Sequence, residues 1–440
     1  MNAKRVVIGL SGGVDSSVGA ALLLEQGYQV EAVYLECYNE PGCRTDQDKK
    51  DALQVAIKLG ISFQVLDFRK EYKEKVIEYF YREYEAGRTP NPDVMCNREI
   101  KFGIFYDWAM EQGYGYVATG HYARITDRET PESGLPGVTR KALRRAMDES
   151  KDQSYFLWQI PRDHLSQILF PLGNMLKSEV REKARELGLL TAGKPDSMGI
   201  CFIGEVNVNK LLKDRLGEKL GEVVIKYSSI GTHKGLWFHT IGERGGFEID
   251  KAKLKKLGLH PEKMGPLYVV AKNKEKNELV VGTREETMKK EFDVNSQIIN
   301  SPILKWEGKL WVRIRNLGEL YKVKSLKMVN SKLEIETAEA VFGVAEGQSA
   351  DFSAEEGVLA GGGIIVYSLV LQRKVAKKKQ SKVVVQHDAG IMRNQFFGML
   401  ILAVGIGALI VMVRYFIISL QMPTDVFLIE PSDLIPGMEK

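Results

Sequence analysis

Cysteine is scarce in this chain: four in 440 residues, at Cys37, Cys43, Cys96 and Cys201. So few cannot staple a secreted scaffold. The composition points instead to reduced cytosol, where any thiol that matters does chemistry. No leader is expected at the front, because Met1 to Arg5 runs straight into an apolar strand, and this argues against secretion. Neither sign of charge is in large excess; the net charge of +5 permits an anionic partner such as RNA without arguing for one. No internal repeat of solenoid or propeller period is present. Nor is there a G-x-x-x-x-G-K-[ST] stretch, which removes the ordinary P-loop kinase and GTPase readings. What remains is 44% hydrophobic and 27% charged, ordinary for a folded protein long enough for two to four domains.

The first third alternates strand and helix signals. Val6–Leu10, Val30–Leu35, Phe63–Leu66 and Tyr116–Thr119 read as strands; Val14–Gly27, Gln47–Leu59 and Tyr72–Glu85 read as helices. This rhythm predicts a parallel sheet covered on both faces, with ligands beyond the carboxyl ends of the strands. There the SGGVDSS run Ser11–Ser17, Leu35 and Gly120-His121 should gather. A Ser/Gly-rich turn between a strand and a helix is an anion cradle: glycines admit the phosphate and the helix start presents unpaired N–H groups. SGGxDS resembles the PP-loop of ATP pyrophosphatases, which split ATP into AMP and diphosphate to adenylate a carbonyl oxygen. The plainer reading is a Gly-rich turn of any α/β domain.

Between the third helix and Tyr116 lies Gly87-Arg88-Thr89-Pro90-Asn91-Pro92-Asp93-Val94-Met95-Cys96-Asn97. Its two prolines predict a stiff extended loop rather than a helix. From about residue 206 the pattern changes to short strands, Gly221–Ile225, Trp237–Ile241 and Leu267–Ala271. Alternating runs then dominate at Leu279–Gly282, Leu310–Arg315, Leu333–Thr337 and Gly362–Tyr367, which read as a small β-barrel. The organisation expected is 1–205 catalytic, 206–277 a small central domain, 278–370 a barrel, 371–395 a basic linker, 396–420 an apolar segment and 421–440 a tail. Phe396–Val413 is eighteen residues without a charge, at the lower limit for a bilayer span. Basic residues before it and acidic ones after it place the body on the cytoplasmic side, tethered to the membrane. A buried or docking helix is the alternative.

Several residues have chemistry in reach. Asp15, at a helix start beside phosphates, can support a magnesium ion or merely favour the helix dipole. Cys96 and Cys201 lie in segments of turn formers without core periodicity, and are either reactive thiols or small buried apolar groups. Asp93, three residues before Cys96, is an acid/base candidate or a turn cap. His121 after a strand end is a ligand contact or structure, and Lys151 a contact or a solvated charge.

Together these motifs resemble the tRNA-specific 2-thiouridylase family of the PP-loop superfamily. The matching segments are GLSGGVDSS from Gly9, GRTPNPDVMCNREIKF from Gly87, ATGHYAR from Ala118 and KDQSYFL from Lys151. FPLG from Phe170, KPDSMGICFIG from Lys194, GTHKGLWFHTIGER from Gly231 and LAGGGII from Leu359 follow in family order, so the resemblance covers about 5–367. It implies a Rossmann-like PP-loop domain, a central domain and a barrel. It implies an activity in which ATP adenylates the wobble-uracil 2-carbonyl and a cysteine persulfide supplies sulfur. Cys201 would hold the persulfide, Cys96 would resolve it through a transient Cys96–Cys201 disulfide, and Asp93 would act at the base. ATP would sit on Gly9, Leu10, Ser11, Gly12, Gly13, Val14, Asp15, Ser16, Leu35 and Gly120. The tRNA contacts would be Asn91, Pro92, Asp93, His121, Lys151, Asp152, Gln153, Arg315, Asn316 and Gln348. Implied partners are the tRNAs for lysine, glutamate and glutamine, and a sulfur-relay protein or cysteine desulfurase.

The chain departs from the family at Leu35, usually methionine, and at Asn316, usually tyrosine. The usual TIGQRKGLG reads Thr240-Ile241-Gly242-Glu243-Arg244-Gly245-Gly246-Phe247-Glu248, which loses a lysine and gains acid. Cys37 and Cys43 have no family role. The rivals are a PP-loop ligase adenylating a small carboxylate or amide, which would need neither the paired cysteines nor the barrel, and a non-catalytic tethered RNA-binding protein.

Overall fold

The computed structural model describes residues 2–39, 45–129, 139–196, 207–260, 264–298, 309–354 and 357–366. Cys43, Cys201 and the apolar segment 396–420 lie outside the described residues. Among the described residues no helix is long and apolar enough to cross a membrane.

The first domain is a five-stranded sheet, β1 (Asn2–Gly9), β2 (Gln29–Glu36), β3 (Ser62–Asp67), β4 (Tyr114–Thr119) and β7 (Ile168–Leu169), in the order β3-β2-β1-β4-β7. Every pairing is parallel. Helices α1 (Val14–Glu25) and α2 (Thr45–Leu59) follow the first two strands. The third crossover is α3 (Arg69–Tyr72) and α4 (Glu78–Glu85) joined by a π turn over Lys73–Ile77. The strand order reverses between β1 and β4, which opens a crevice at their carboxyl ends where such folds bind ligands. Val6, Val7 and Ile8 are wholly buried, with neighbours on both faces of the sheet, as a doubly covered parallel strand requires. A hairpin of β5 (Ala123–Glu129) and β6 (Thr139–Arg145) follows β4.

The segment before Asn97 corrects the expected extended loop. Pro92–Cys96 is a helical turn, α5, followed by a π stretch over Asn97–Ile104 and by α6 (Phe105–Glu111). Pro92 occupies the first helical position, where its missing N–H costs nothing and its fixed φ suits a helix. Asn91 caps the turn, its side chain accepting from Val94 N at 3.3 Å.

After α7 (Lys177–Glu186) and α8 (Val208–Leu216) comes a second sheet. Its strands β8 (Gly221–Ile225), β9 (Ser228–His233), β10 (Glu248–Ile249), β11 (Tyr268–Asn273) and β12 (Glu278–Gly282) lie in the order β10-β9-β8-β12-β11, beside α9 (Lys251–Lys256). Trp237–Ile241, expected as a strand, is a 3-10 turn over Leu236–Phe238 closed by Phe238 N to Gly235 O and His239 N to Leu236 O. The third unit is a closed antiparallel barrel of β13 (Met288–Ile298), β14 (Leu310–Arg313), β15 (Tyr321–Val329), β16 (Lys332–Phe342), β17 (Ser349–Ala354) and β18 (Leu359–Val366), with β13 pairing β18 to leave no open edge.

Candidate active site

The loop after β1 is fixed by its own small residues. Leu10 N donates to Val33 O at 2.8 Å. The Ser16 hydroxyl lies 3.1 Å from both the amide N and the hydroxyl of Ser11, and the Ser17 hydroxyl donates to Gly13 O at 2.7 Å. Gly13 precedes α1 in extended conformation without a side-chain cap, so the first turn keeps donors for an anion. Two glycines are obligatory. Gly12 has φ +72°, and a Cβ there would lie 2.2 Å from Asp48 O; a Cβ on Gly120 would lie 2.6 Å from Ser16 N. The turns after β1 and β4 are thus packed backbone to backbone across the crevice. Leu35, on β2, is buried in the sheet core, and Val14 is buried beneath α1.

Charge surrounds this loop in compensated pairs. Both Asp15 oxygens accept from Lys177 Nζ, at 2.6 and 2.8 Å, and Oδ1 also accepts from the Tyr122 hydroxyl at 2.8 Å. Lys177 is also 3.0 Å from Asp196. Asp196 accepts from Lys151 at 2.7 Å and Arg181 at 2.5 Å as well. Burial pushes the Asp196 carboxyl up, but hydrogen bonds from Lys151 and Lys177 outweigh it and hold it well below the usual carboxylate range. Lys194 bonds Gly12 O, Asp48 and Asp51 at 2.8, 2.7 and 2.6 Å. Asp15 therefore does not fit an open metal ligand: a cation already takes both its oxygens. Among the described residues no three His, Cys, Asp or Glu groups converge on a cation site.

A second locus lies where the three domains meet. A cavity of about 260 Å³ is lined by Asn91, Pro92 and Asp93 of the catalytic domain and by Asn316 and Gln348 of the barrel, with Phe80, Tyr84, Tyr155 and Phe156 as aromatic walls. Five of the residues assigned to tRNA by resemblance thus converge. The Asn316 Oδ1 is buried with no partner in the protein. The Tyr155 hydroxyl donates to Ile314 O and Ser349 O at 3.0 and 2.9 Å, pinning its ring to the barrel. Cys96 ends the turn that begins at this cavity and is wholly buried, packed in the core with Val94, Ile100 and Phe102.

The other expected contacts are distributed differently. His121 is buried, with Nδ1 2.7 Å from the Thr119 hydroxyl and Nε2 3.4 Å from Lys101 Nζ. Burial, then the Lys101 charge, pulls its pKa well below the ordinary value, so the ring is neutral. Gln153 Oε1 accepts from Tyr122 N at 2.9 Å. Lys151 reaches Asp196, and Arg315 donates to Phe342 O and Gly343 O at 3.1 and 3.3 Å. Asp152 is 2% exposed. Its oxygens accept from Ala146 N, Ser154 N, the Ser154 hydroxyl and Arg313 Nη1, the last at 2.8 Å. Arg313 bonds Asp351 of the barrel too, at 2.9 Å. Asp152 is therefore placed as one half of an interdomain ion pair, away from solvent.

Sequence reasoning missed Lys177, Arg313 and the aromatic walls. Lys177 follows the quoted FPLG motif by only a few residues and Arg313 precedes Arg315 by two. Their partners are distant in sequence, so no local spacing announces them.

The chain matches three domain families: "tRNA methyl transferase HUP domain" over residues 4–205, "tRNA methyl transferase PRC-barrel domain" over 209–283 and "Aminomethyltransferase beta-barrel domain" over 288–365. It is 39% identical over 374 residues to the tRNA-specific 2-thiouridylase MnmA of Idiomarina loihiensis, covering 82% of this chain and 96% of that protein. With the protein of the same name from Streptococcus pyogenes serotype M1 it shares 47% over 283 residues, 63% of this chain and 72% of the relative. Among solved structures, a 4-thiouridine synthetase–RNA complex with bound ATP aligns at 21% identity and a TM-score of 0.31, covering 48% of this chain and 49% of that one, a likeness too slight to carry an argument.

Proposed function

The chain belongs to the tRNA-specific 2-thiouridylase family, and from that premise we propose that it converts the wobble uridine of tRNA to 2-thiouridine. The uracil 2-oxygen attacks the α-phosphorus of ATP and diphosphate leaves. The terminal sulfur of a Cys201 persulfide attacks C2, and AMP departs with the oxygen. The Cys96 thiolate then attacks the Cys201 sulfur, breaking the S–S bond, leaving sulfur on the base and joining the two cysteines. A dithiol reductant regenerates them. The uncapped start of α1 and the glycines at 12 and 120 suit ATP phosphates. The cavity at the start of the turn that ends in Cys96 suits one splayed pyrimidine, which an enzyme must extrude to reach its 2-carbonyl.

The observation that carries the reading is the convergence of Asn91, Asp93, Asn316 and Gln348 with aromatic walls on one cavity, at the start of the turn that ends in Cys96. Bases are read by stacking and edge hydrogen bonds, and the aromatic walls with Asn91, Asn316 and Gln348 supply both kinds of group. The catalytic unit is assigned to 1–205 and grip on tRNA to the central domain and the barrel, expected at 206–277 and 278–370; the boundary moves past β12 (Glu278–Gly282), which pairs with β8 and β11 of the central sheet and not with the barrel. Sulfur is assigned to a relay protein or cysteine desulfurase. The apolar run 396–420 is assigned as a membrane tether for a body facing the cytoplasm, on hydropathy and flanking charge alone.

The test is release of AMP and diphosphate from ATP with and without unmodified tRNA. The reading predicts turnover that requires tRNA bearing a wobble uridine. Turnover driven by a small carboxylate or amide in the absence of tRNA would move the chain to the ligase class.

A further inference from the structure

We propose that Lys272, on β11 of the central domain, is a positioning residue for the reacting turn: through the carbonyl of Gly87 it holds the strap that carries Asn91, Asp93 and Cys96. The proposal rests on the thiouridylase reading above.

Residues 87–88 close the end of α4, with Gly87 N on Tyr84 O and Arg88 N on Glu83 O, and residues 87–90 take further anchors from the other two domains. Lys272 Nζ donates to Gly87 O at 3.0 Å. Thr89 N donates to Glu346 O at 2.8 Å, and the Thr89 and Thr240 hydroxyls are 3.2 Å apart. Gln348 Nε2 donates to Thr89 O at 3.1 Å and reaches Pro90 O at 3.4 Å. Gly347 has φ +88°, and a Cβ there would lie 2.8 Å from Thr89 O; the barrel backbone touches the strap too closely for any side chain. The strap is therefore gripped from one side by β11 and the Thr240 turn, and from the other by the 345–348 turn.

Within this grip Lys272 brings the positive charge that reaches Gly87, while Lys289 and Arg88 also act on Glu346. Burial pulls its pKa down to about 8, and the nearby Glu243 and Glu346 carboxylates oppose that. Burial raises both carboxyls, and Lys272 lowers both. Glu243 stands where the family usually has glutamine. It also accepts from Thr240 N at 2.7 Å, so the Lys272–Glu243 neighbourhood reaches the strap twice, through Gly87 and through Thr240. A charged donor to a carbonyl in a poorly solvated joint is stronger than a neutral one. Removing the cation leaves the Gly87 carbonyl without its donor and the half-buried Glu243 without its countercharge, whereas Glu346 keeps Lys289 and Arg88. The consequence belongs to geometry: a strap freed at Gly87 displaces the cavity wall and Cys96 together, and reacting groups misplaced by about 1 Å lose on the order of a hundredfold in rate.

The experiment uses the full chain with Lys272→Met combined with Glu243→Gln, which removes the carboxylate left unbalanced, and Thr240→Val as a milder probe of the same strap. Hydrogen exchange of the 87–97 amides, tRNA affinity, and kcat and KM for thiolation are compared with wild type. The double variant is expected to raise exchange across 87–91 and to lower kcat between about tenfold and a hundredfold, while tRNA affinity stays within about threefold. Thr240→Val is expected to move exchange and kcat in the same direction by less. Unchanged exchange in both variants overturns the proposal. So does tRNA affinity falling in step with kcat/KM at constant kcat, which would make Lys272 an RNA contact. A wild-type protein without thiolation activity would defeat the functional reading instead, and the exchange comparison would still decide the role of Lys272.

Discussion

Gly120 shows how narrowly single residues are constrained. Its Cα stands against the first turn of α1, with room for no side chain. Gly120→Ala is expected to cost about 1–3 kcal/mol and to weaken ATP binding by shifting the helix start; a titration with ATP alongside a thermal melt checks both. An alanine variant that binds ATP normally would show that the crevice between β1 and β4 is not the nucleotide site. The glycines were legible in the sequence because a Ser/Gly-rich turn between a strand and a helix has few physical uses. Cys96 was legible only as a candidate. Turn-forming neighbours left it open as a reactive thiol or a small buried apolar group, and the side chain lies wholly in the core. In the resolving role, Cys96→Ala is expected to abolish sulfur transfer while tRNA-dependent diphosphate release survives. Loss of both activities together would place Cys96 in the fold rather than the chemistry.

At the scale of elements, the turn Pro92–Cys96 carries the lesson about sequence. Pro92 argued against a helix, yet proline at the first helical position starts one when asparagine precedes it as a cap. Asn91→Ala should cost about 1 kcal/mol through the lost cap and should also distort the cavity wall. A fall in kcat at unchanged ATP affinity is the expected reading, and unaltered kcat would remove the cap from the mechanism. The apolar run at Trp237 was misread as a strand for a related reason. Three bulky residues fold as one turn when flanking backbone groups close it, and apolar content alone does not distinguish the two. The β17 strand Ser349–Ala354 escaped notice in the opposite way: it is small and polar yet buried along its length, as a strand closing a tight barrel requires.

The same turn places His239 in the central domain, 1% exposed and with neither ring nitrogen partnered. Burial, followed by the charges of His233 and Lys272, brings its pKa down from 6.5 to about 4. The unfolded chain binds the proton first as pH falls. Stability from this group is therefore complete above pH 6.5 and is lost between 6.5 and 4, by up to about 3 kcal/mol. Melting temperature against pH should fall through that window in wild type and less steeply in His239→Leu; parallel curves would contradict the assignment.

Across the whole molecule, the domains are joined by polar groups that no local pattern reveals. Arg313, 4% exposed, bridges Asp152 of the catalytic domain and Asp351 of the barrel. Burial raises the Asp351 carboxyl, and Arg313 opposes it. Arg313→Met strands two buried carboxylates and should cost about 3–5 kcal/mol, read as a lower denaturant midpoint. A midpoint unchanged within error would show that the joint is solvated. Asp152 was placed at the RNA by resemblance, and a lone aspartate gives no sequence signal of burial. The domain succession was legible because periodicity switches from alternating helix and strand to strand alone. Which side chains cross between domains was not, because their spacing exceeds any local window.

Thiolation itself tests the central claim most directly. Full-length protein is mixed with unmodified lysine tRNA, ATP with magnesium, and a persulfide donor, and the tRNA is run on a mercury-containing gel that retards thiolated RNA. The account predicts retarded tRNA that depends on ATP and disappears with Cys96→Ala and with Cys201→Ala. Retardation that survives either substitution, or unretarded tRNA from a folded protein that binds ATP and tRNA, would contradict it.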